Sequence, residues 1–388
     1  MKSVIILGAT GSIGLNTLDV IKAHPEQYKV KALIANQNVD TLVKSALETN
    51  PEYVGLMDES KYPQLKNQLE ATNIKVVAGE KAILELCKEA HDITMSAIVG
   101  AAGLKPTYTC LQSSKRLALA NKETLVVAGE LINKVCKERQ IEILPVDSEH
   151  SAIFQAFEKS NADQVKKIIL TASGGPFLHK SLAEMEAMTP EQAVAHPNWK
   201  MGQKISVDSA TLLNKGLEYI EACMLFPVKP QQVEIVVHPE SIIHSLVSYN
   251  DGSTLAQLSM PDMRSPIVYA LSYPKRLTIL HKELDLAALA KLTFLPPDYT
   301  RFPLLKLAQK AMQETQAARI ILNTANEVAV NAFLAKKIKF LQIYEIVARA
   351  LDTIKHEPLD SLEDILQYLQ FVEVKVAKII ENGLLNNS

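Results

Sequence analysis

The chain has 388 residues, of which 47% are hydrophobic and 22% charged, and a formal net charge of −2. This length predicts more than one domain, and the near-neutral charge argues against electrostatic binding of nucleic acid. The four cysteines are scattered without a C-x-x-C pair, which is typical of a reducing compartment. No apolar run approaches the roughly 20 residues that span a bilayer, and the apolar start is too short for a signal peptide. We therefore expect a cytoplasmic protein with no membrane segment.

A short apolar run at residues 4–7 is followed by glycines at positions 8, 11 and 14 and by an amphipathic stretch from 15 to about 23. A strand, a glycine-rich turn and a helix form the context of a dinucleotide-binding loop, in which the helix amides face a pyrophosphate. The spacing is G-x-x-G-x-x-G rather than G-x-G-x-x-G, so an ordinary tight turn is the alternative.

The second apolar run, residues 30–35, ends in Asn36, Gln37 and Asn38. An NAD-specific site usually has Asp or Glu here to bind the ribose 2′-hydroxyl, so the sequence favours NADP. No Arg or Lys marks a 2′-phosphate either, and Asp40 is expected to start the next helix.

Five further apolar runs alternate with helical patterns, at residues 53–57, 75–78, 93–99, 116–120 and 141–146. Regular alternation of strand and helix predicts a parallel, doubly wound sheet, and we expect this Rossmann-type domain to cover residues 1–147.

The polar residues 147–150 follow the last of these strands, at the sheet edge where ligands bind. If the extended backbone continues, Asp147 and Glu149 project to the same side, and two hard oxygen ligands suit Mg²⁺ or Mn²⁺ better than zinc. The alternative is a helix cap, with Ser148 as N-cap of a helix that begins near Ser151.

Three polar stretches follow in the second domain, expected at residues 148–272. Residues 171–176 contain Ser173 in a small-residue turn after a strand, which either binds an anion or is a plain turn. Residues 196–202 contain the only tryptophan, Trp199, which either covers a pocket or anchors the loop. In residues 206–218, a cap near Asp208 or Ser209 would start a helix with Asn214 and Glu218 on one face.

The rest of the chain shows a hairpin and then helices. Residues 241–249 and 254–258 are apolar runs joined by a turn with Asp251-Gly252. A linker is expected at residues 273–298, followed by a helical bundle at 299–388 built from segments 304–315, 319–335, 341–354 and 361–382. The fold class is therefore α/β, with a doubly wound N-terminal domain, an α+β catalytic domain and a C-terminal helical bundle.

These motifs, taken in order, resemble the 1-deoxy-D-xylulose 5-phosphate reductoisomerase family over essentially the whole chain. The residues that carry the resemblance are 8–14, 120–123, 146–150, 173–176, 196–199 and 208–218.

The resemblance implies a set of site residues. For NADPH binding it implies Thr10, Gly11, Ser12, Ile13, Asn38, Asn121, Glu123 and Gly202, with the role of Gln37 at the 2′-phosphate in doubt because many members have a basic residue there. For the divalent metal, Mg²⁺ or Mn²⁺, it implies Asp147, Glu149 and Glu218. For the substrate phosphate it implies Ser173, Ser209, Asn214 and Lys215. For the rest of the sugar phosphate it implies Lys122, Ser148, Glu149, His196, Trp199 and Glu218, with Lys122, Glu149 and His196 catalytic.

The resemblance also implies a two-step reaction, in which the carbon skeleton of 1-deoxy-D-xylulose 5-phosphate rearranges and NADPH reduces the resulting aldehyde to 2-C-methyl-D-erythritol 4-phosphate. It implies a homodimer, for which the hairpin at 241–258 is the expected contact. Two rivals remain: a semialdehyde dehydrogenase, which in its acylating form needs a nucleophilic cysteine, and a redox-sensing Rossmann regulator, which needs a basic DNA-binding helix.

Overall fold

The computed structural model describes residues 1–199, 201–279 and 282–385. The loop at 196–202, the expected linker and the C-terminal helical domain each include residues outside these ranges. The strands are β1 Lys2–Leu7, β2 Tyr28–Ala35, β3 Tyr53–Leu56, β4 Lys75–Ala78, β5 His91–Ser96, β6 Ser114–Leu119, β7 Glu142–Pro145, β8 Val165–Ala172, β9 Val233–Val237, β10 Ile243–Tyr249 and β11 Thr254–Leu258. The helices are α1 Ser12–Ala23, α2 Val39–Thr49, α3 Tyr62–Gln68, α4 Glu80–Cys87, α5 Leu104–Cys110, α6 Lys122–Glu138, α7 Ser148–Ala156, α8 Leu182–Glu186, α9 Pro190–Ala193, α10 Gln203–Ala210, α11 Leu213–Leu225, α12 Arg264–Ser272, α13 Leu286–Leu289, α14 Leu304–Gln313, α15 Gln316–Leu334, α16 Gln342–Thr353 and α17 Leu362–Leu385.

Two compact units share the chain discontinuously. The first unit comprises Met1–Thr124, Ile132–Ser151 and Asp262–Lys282, and the second comprises Leu125–Leu131, Ala152–Pro261 and Glu283–Ser388. The domain boundaries expected from the sequence, at residues 147, 272 and 298, stay a prediction.

The first unit is built on a seven-stranded sheet with the order β4-β3-β2-β1-β5-β6-β7, and every pairing is parallel. The expectation of a doubly wound sheet is confirmed. Strand order reverses between β1 and β5, and in open α/β sheets ligands bind outside the carboxyl ends of the strands at such a switch point. The side chains of Ile5 and Leu7 on β1 are fully buried against Ile83 and Cys87 of α4, so helix packing fixes the face of the sheet beside this point.

Helix α12 completes the first unit although it lies more than a hundred residues after β7 in the chain. It packs on α1, β6 and β7. The guanidinium of Arg116 on β6 donates to the carbonyls of Leu271 (3.1 Å) and Tyr273 (2.9 Å) and forms an ion pair with Glu142 on β7 (3.1 Å). A cation at the carboxyl end of a helix satisfies carbonyls that have no helical partner, so Arg116 fixes this end of α12 to the sheet.

The second unit has a four-stranded mixed sheet in the order β11-β10-β8-β9. Strand β8 is parallel to β9 and antiparallel to β10, and β10 forms the expected hairpin with β11, which is an edge strand. Helices α14 to α17 pack around α15, as expected for a helical bundle, and α11 packs on α14. A Cβ at Gly216 would lie 2.6 Å from the Cβ of Ala308, so α11 approaches α14 too closely for a larger residue. Among the described helices, none is both long enough and apolar enough to cross a bilayer.

We predict that Gly8→Ala destabilises the protein more than Gly252→Ala does. Both glycines have positive φ (86° and 90°), but a Cβ at Gly8 would lie 2.5 Å from the carbonyl oxygen of Ala97, whereas a Cβ at Gly252 would have nothing within 4 Å. The left-handed backbone costs an alanine about 1 kcal/mol in both variants, and the clash at residue 8 adds about 1–3 kcal/mol. Chemical denaturation of the two variants measures the difference, and equal losses would show that the loop does not press on β5.

Candidate active site

The loop after β1 brings the predicted pyrophosphate residues to the switch point of the sheet. The amides of Gly8 and Ala9 both donate to the carbonyl of Ile34 at the end of β2 (2.9 Å each). Helix α1 begins at Ser12, and its N-cap, Gly11, makes no side-chain cap hydrogen bond. The loop and the first turn of the helix hold the four predicted residues Thr10, Gly11, Ser12 and Ile13. Backbone amides at a helix start without a side-chain cap suit an anionic group such as a pyrophosphate.

Glycine is required in this loop because its backbone packs against the first turn of α1. A Cβ at Gly14 would lie 2.4 Å from the carbonyl oxygen of Gly8 and 2.6 Å from the Cα of Ala9. The alternative of an ordinary turn does not need such closeness, whereas a dinucleotide loop uses the third glycine for close packing of helix and strand.

The residues after β2 are exposed at the same edge. Gln37 and Asn38 are both exposed, and the Oδ1 atom of Asn38 accepts a hydrogen bond from the amide of Thr41 (3.1 Å), so Asn38 is the N-cap of α2. Asp40 lies in the first turn of this helix, so the expectation that it starts the helix is confirmed.

Asn121 braces the loops that follow β5 and β6. It is 2% exposed; its Oδ1 accepts from the amide (2.7 Å) and hydroxyl (2.8 Å) of Thr124, and its Nδ2 donates to the carbonyls of Ile98 and Gly100, the latter at 2.9 Å. The hydrogen bonds of the Asn121 side chain therefore fix the loops after β5 and β6 relative to each other. Glu123, in the first turn of α6, is 7% exposed. Contact of either residue with the cofactor stays a prediction.

Lys122 and Asp147 form a buried ion pair at the carboxyl edge of the parallel sheet. Lys122 Nζ lies 2.6 Å from Asp147 Oδ2, and the side chains are only 6% and 10% exposed. The other oxygen, Oδ1, lies 3.0 Å from Nδ1 of the fully buried His150. A carboxylate is tolerated in a protein interior only where it is paired or binds a cation. The contacts with Lys122 and His150 therefore fix the position of the Asp147 carboxylate.

A helix start, rather than a continued strand, brings Asp147 and Glu149 together. The expectation of extended backbone was wrong: β7 ends at Pro145 and α7 begins at Ser148. The alternative with Ser148 as N-cap was wrong too, because Asp147 accepts the Glu149 amide at its side chain (3.2 Å) and the Ser151 amide at its carbonyl (2.9 Å). The hydroxyl of Ser148 donates to the carboxylate of Glu149. Asp147 and Glu149 each offer a carboxylate oxygen within 4.8 Å of the other, close enough to share one cation.

In the second unit, helices α10 and α11 are joined by a sharp turn and carry the predicted polar residues of the stretch 206–218. Ser209 lies near the end of α10, and Leu212 adopts a left-handed conformation (φ 58°) before α11 begins. The expectation of a cap at Asp208 or Ser209 was wrong, since both residues lie inside α10. Residues 214 and 218 do share a face of α11, because Nδ2 of Asn214 donates to Oε1 of Glu218 (2.5 Å).

Lys215 and Glu218 form a second buried lysine–carboxylate pair, on α11. Lys215 donates to Oε2 of Glu218, and the two residues are 3% and 1% exposed. Both carboxylate oxygens of Glu218 are hard ligand atoms for a metal. The charge of this carboxylate is balanced by a buried lysine, as is the charge of Asp147.

The turn after β8 joins Ser173 to His196. Nδ1 of His196 accepts from the amides of Asn198 (3.2 Å) and Trp199 (3.0 Å), so a neutral ring carries its hydrogen on Nε2 and donates it to Oγ of Ser173 (2.9 Å). Ser173 Oγ also accepts from the amide of Gly175 (3.2 Å). With two donors on its oxygen, the Ser173 hydroxyl has its own hydrogen to donate, which suits an anion.

The loop with Trp199 is attached to the second unit by side-chain contacts. The Nδ2 atom of Asn198 donates to the carbonyl of Pro239 (2.6 Å) and the hydroxyl of Ser241 (3.0 Å), and the partly buried Trp199 ring lies 6.2 Å from the ring of His244. Gly202 ends the loop as the N-cap of α10. Whether Trp199 covers a pocket stays a prediction.

One buried contact was missed by sequence reasoning. Asp208 on α10 accepts a hydrogen bond from Asn326 on α15, at 2.7 Å. The signal was present: Asn323, Thr324 and Asn326 form a polar cluster between apolar residues of the helix, and all three are at most 5% exposed. Buried polar side chains on an apolar helix normally have a partner.

The fold and this arrangement of carboxylates, lysines and glycine loop define an oxidoreductase of the Rossmann type. Three family models match the chain: 1-deoxy-D-xylulose 5-phosphate reductoisomerase at residues 4–129, its C-terminal domain at 143–226, and the DXP reductoisomerase C-terminal domain at 258–373. The chain belongs to the 1-deoxy-D-xylulose 5-phosphate reductoisomerase family.

Relatives of known name agree over nearly the full length. A 1-deoxy-D-xylulose 5-phosphate reductoisomerase of Saccharophagus degradans is 50% identical over 91% of this chain and 92% of its own. The solved reductoisomerase of Zymomonas mobilis in complex with NADPH is 46% identical with a TM-score of 0.92, covering 98% of both chains. A solved DOX-P reductoisomerase in complex with NADPH, fosmidomycin and magnesium is 43% identical with a TM-score of 0.95, also covering 98% of both chains. The family and the fold class expected from the sequence are confirmed.

We predict that His196 stays neutral with its proton on Nε2 well below pH 6. Burial lowers the pKa of His196 from 6.5 to about 4. Between about pH 6.5 and 4 the His196 imidazole is therefore protonated in the unfolded chain and neutral in the folded chain. The contribution of His196 to the free energy of unfolding is complete above about pH 6.5 and is lost as the pH falls towards 4. Nitrogen NMR of the imidazole, assigned with His196→Gln, reports both the tautomer and the pKa. A titration midpoint near 6.5, or a proton on Nδ1, would contradict the prediction.

Proposed function

We propose that the chain converts 1-deoxy-D-xylulose 5-phosphate to 2-C-methyl-D-erythritol 4-phosphate with NADPH and a divalent cation, as in isoprenoid precursor synthesis. Family membership over almost the whole chain supports this activity, and the solved relatives are complexes with NADPH and with magnesium. The observation that carries the proposal is the buried Lys122–Asp147 pair with Glu149 beside it, because it sets hard oxygen donors at the carboxyl edge of the sheet.

NADPH would bind at the loop after β1, where the Gly8 and Gly14 positions leave no room for a side chain. When bound, it supplies the hydride for the reduction. The chain's part is to hold the pyrophosphate on backbone amides and the ribose near Gln37 and Asn38. Neither Gln37 nor Asn38, directly after β2, is acidic, and Gln37 offers an amide donor in place of a charge.

The cation, Mg²⁺ or Mn²⁺, would be held by Asp147, Glu149 and Glu218. The donor set fits, because all three side chains offer carboxylate oxygens and the two paired with lysines are nearly buried. When bound, the cation acts as a Lewis acid on oxygen atoms of the sugar.

The substrate phosphate would be bound by four polar side chains of the second unit: Ser173, Ser209, Asn214 and Lys215. Three features support this: the hydroxyl of Ser173, the amine of Lys215 and the amide of Asn214 are all donors, as an anion requires. Binding of a group remote from the reacting carbons orients the sugar for the reaction.

Lys122, Ser148, His196 and Trp199 would contact the rest of the sugar. Lys122 is proposed to stabilise negative charge on a substrate oxygen with its ammonium, which Asp147 already holds in place. The neutral His196 is a donor at Nε2, and its ring is fixed by two backbone amides, so it keeps Ser173 oriented.

The acylating dehydrogenase finds no support in the cysteines. All four are free; Cys87, Cys110 and Cys136 are buried, and burial raises the pKa of Cys136 and of Cys223 to about 12. A nucleophilic cysteine needs a lowered pKa and an accessible thiol, whereas the pKa values of Cys136 and Cys223 are raised and Cys87 and Cys110 are buried. Four free thiols also support the proposal that the chain works in the cytoplasm.

A homodimer is proposed, formed through the hairpin of β10 and β11. Strand β11 is an edge strand whose residues 254–256 are exposed, and Leu255 is 41% exposed. An unpaired edge with an exposed leucine offers backbone groups and apolar surface to a second chain.

We predict that Glu218→Gln lowers kcat/KM at least about 100-fold, which exceeds the effect typical of losing a group that only orients a metal ligand. The amide keeps the shape but removes one charge from the proposed metal ligands, so the Mg²⁺ or Mn²⁺ concentration for half-maximal activity should rise while the Kd for NADPH stays within about twofold. Metal titration of activity and NADPH fluorescence titration measure the two effects. Glu240→Gln, which removes a half-buried carboxylate that accepts from the Thr293 amide (3.2 Å), is the control and should keep the wild-type metal requirement. Full turnover in Glu218→Gln would refute the metal assignment.

We predict that Leu255→Lys dissociates the dimer, because a charge on the edge strand opposes pairing with a second chain. Light scattering of the wild type should return twice the chain mass of 42.8 kDa, and the variant should approach the single-chain mass. Leu47→Lys, at a leucine that is 58% exposed on α2, is the matched control and should leave the mass unchanged. A wild type that remains at the single-chain mass at micromolar concentration would overturn the proposal.

A further inference from the structure

Asp208 is a buried carboxylate that has no part in the proposed contacts with cofactor, metal or substrate. It is 1% exposed, and each of its oxygens has a partner: Oδ1 accepts from Nδ2 of Asn326 at 2.7 Å, and Oδ2 lies 2.9 Å from Nζ of Lys204. Asn326 lies on α15 and is fully buried. Removing one partner of a buried carboxylate is strongly unfavourable, so this three-residue contact fixes α10 against α15.

Only the amide nitrogen of the Asn326 side chain makes a hydrogen bond. A carboxylate only accepts hydrogen bonds, so the Nδ2 atom must face Asp208. The Oδ1 atom of Asn326 is buried and has no hydrogen-bond partner. An asparagine with one unsatisfied atom in a core is expected only where its other atom makes a contact that an apolar residue could not make.

Asp208 is joined directly to the proposed phosphate residues. Ser209 is the next residue, and the carbonyl of Asp208 accepts from the hydroxyl of Thr211 (3.1 Å) in the connection between α10 and α11. In that connection Leu212 has a φ of 58°, a left-handed conformation that is unfavourable for a non-glycine residue and persists only where the surroundings impose it. The position of α10 therefore sets where α11 begins, with Asn214 in its first turn.

The turn that carries Ser173 rests on the same part of α10. A Cβ at Gly175 would lie 2.4 Å from the carbonyl oxygen of Ser209 and 3.2 Å from the Cα of Ala210. The backbones are thus in direct contact, and a displacement of α10 would carry Ser209 away from its place beside the Ser173 turn.

We propose that Asp208, held by Asn326 and Lys204, is a positioning residue that sets the geometry of the phosphate-binding side chains Ser209 and Asn214. This inference rests on the proposed function, in which these side chains bind the substrate phosphate. Asn326 and Lys204 are proposed to act through Asp208.

The test compares Asn326→Leu with Asn323→Leu. Both asparagines are fully buried on α15, but Nδ2 of Asn323 donates to Glu327 (3.1 Å) and not to Asp208. Both variants lose a buried amide, and Asn326→Leu should lose more melting temperature because it also removes a partner of the buried Asp208. Only Asn326→Leu should raise the KM for the sugar phosphate and the inhibition constant of inorganic phosphate, each about tenfold or more, with the KM for NADPH within about twofold. An equal rise of the phosphate inhibition constant in both variants, or none in Asn326→Leu, would overturn the proposal.

Two further variants keep the outcome decisive. Ser209→Ala tests the phosphate assignment itself: an unchanged inhibition constant there would overturn the proposed role of Ser209 and the inference with it. A raised constant in Ser209→Ala with an unchanged one in Asn326→Leu would overturn the positioning role alone. If Asn326→Leu does not fold, Lys204→Met removes the other partner of Asp208 at a side chain that is 14% exposed, and the same selective rise is expected.

Discussion

Pairing of buried carboxylates with lysines is the interaction on which the described site depends. Asp147 is paired with Lys122, and Glu218 with Lys215, with every one of these side chains at most 10% exposed. Carboxylates cannot remain charged in such surroundings without a nearby cation. The lysines proposed to bind substrate are thus the same lysines that neutralise proposed metal ligands, so the charge balance of the metal site and that of the sugar-phosphate site are linked.

The fold was predictable because its signals are local and repeated. Apolar runs at the spacing of a βα sequence allow few topologies, and a parallel doubly wound sheet is the usual solution. The glycines at 8, 11 and 14 marked the loop correctly, since the requirement for a missing Cβ is a property of the backbone. The pattern could not predict where α12 packs, because its contacts with α1, β6 and β7 join segments far apart in the sequence.

The site was predictable in its residue types and less so in its geometry. The sequence identified Asp147 and Glu149 as paired acids, but it could not decide between strand and helix at residue 147, because that choice depends on one side chain capping its own helix. Asp208 was misplaced as a cap, since its true partner, Asn326, lies 118 residues away. The polar residues 323, 324 and 326 indicate a buried polar contact on α15, but nothing in the sequence of either segment identifies the partner. The residue resemblance supplied the roles that neither spacing nor composition could assign.

The discontinuity of the first unit has a consequence for biosynthesis. The seven strands of the parallel sheet are present once residue 151 has been made, but Arg116 finds its carbonyl partners only when residues 262–282 follow. At about 5–20 residues per second, translation leaves the sheet without α12 for on the order of ten seconds. During this interval the surfaces of α1, β6 and β7 that α12 covers are exposed on the nascent chain. Chaperone contact during translation should therefore concentrate on this face, and a fragment ending at residue 151 would retain the same exposed surface permanently.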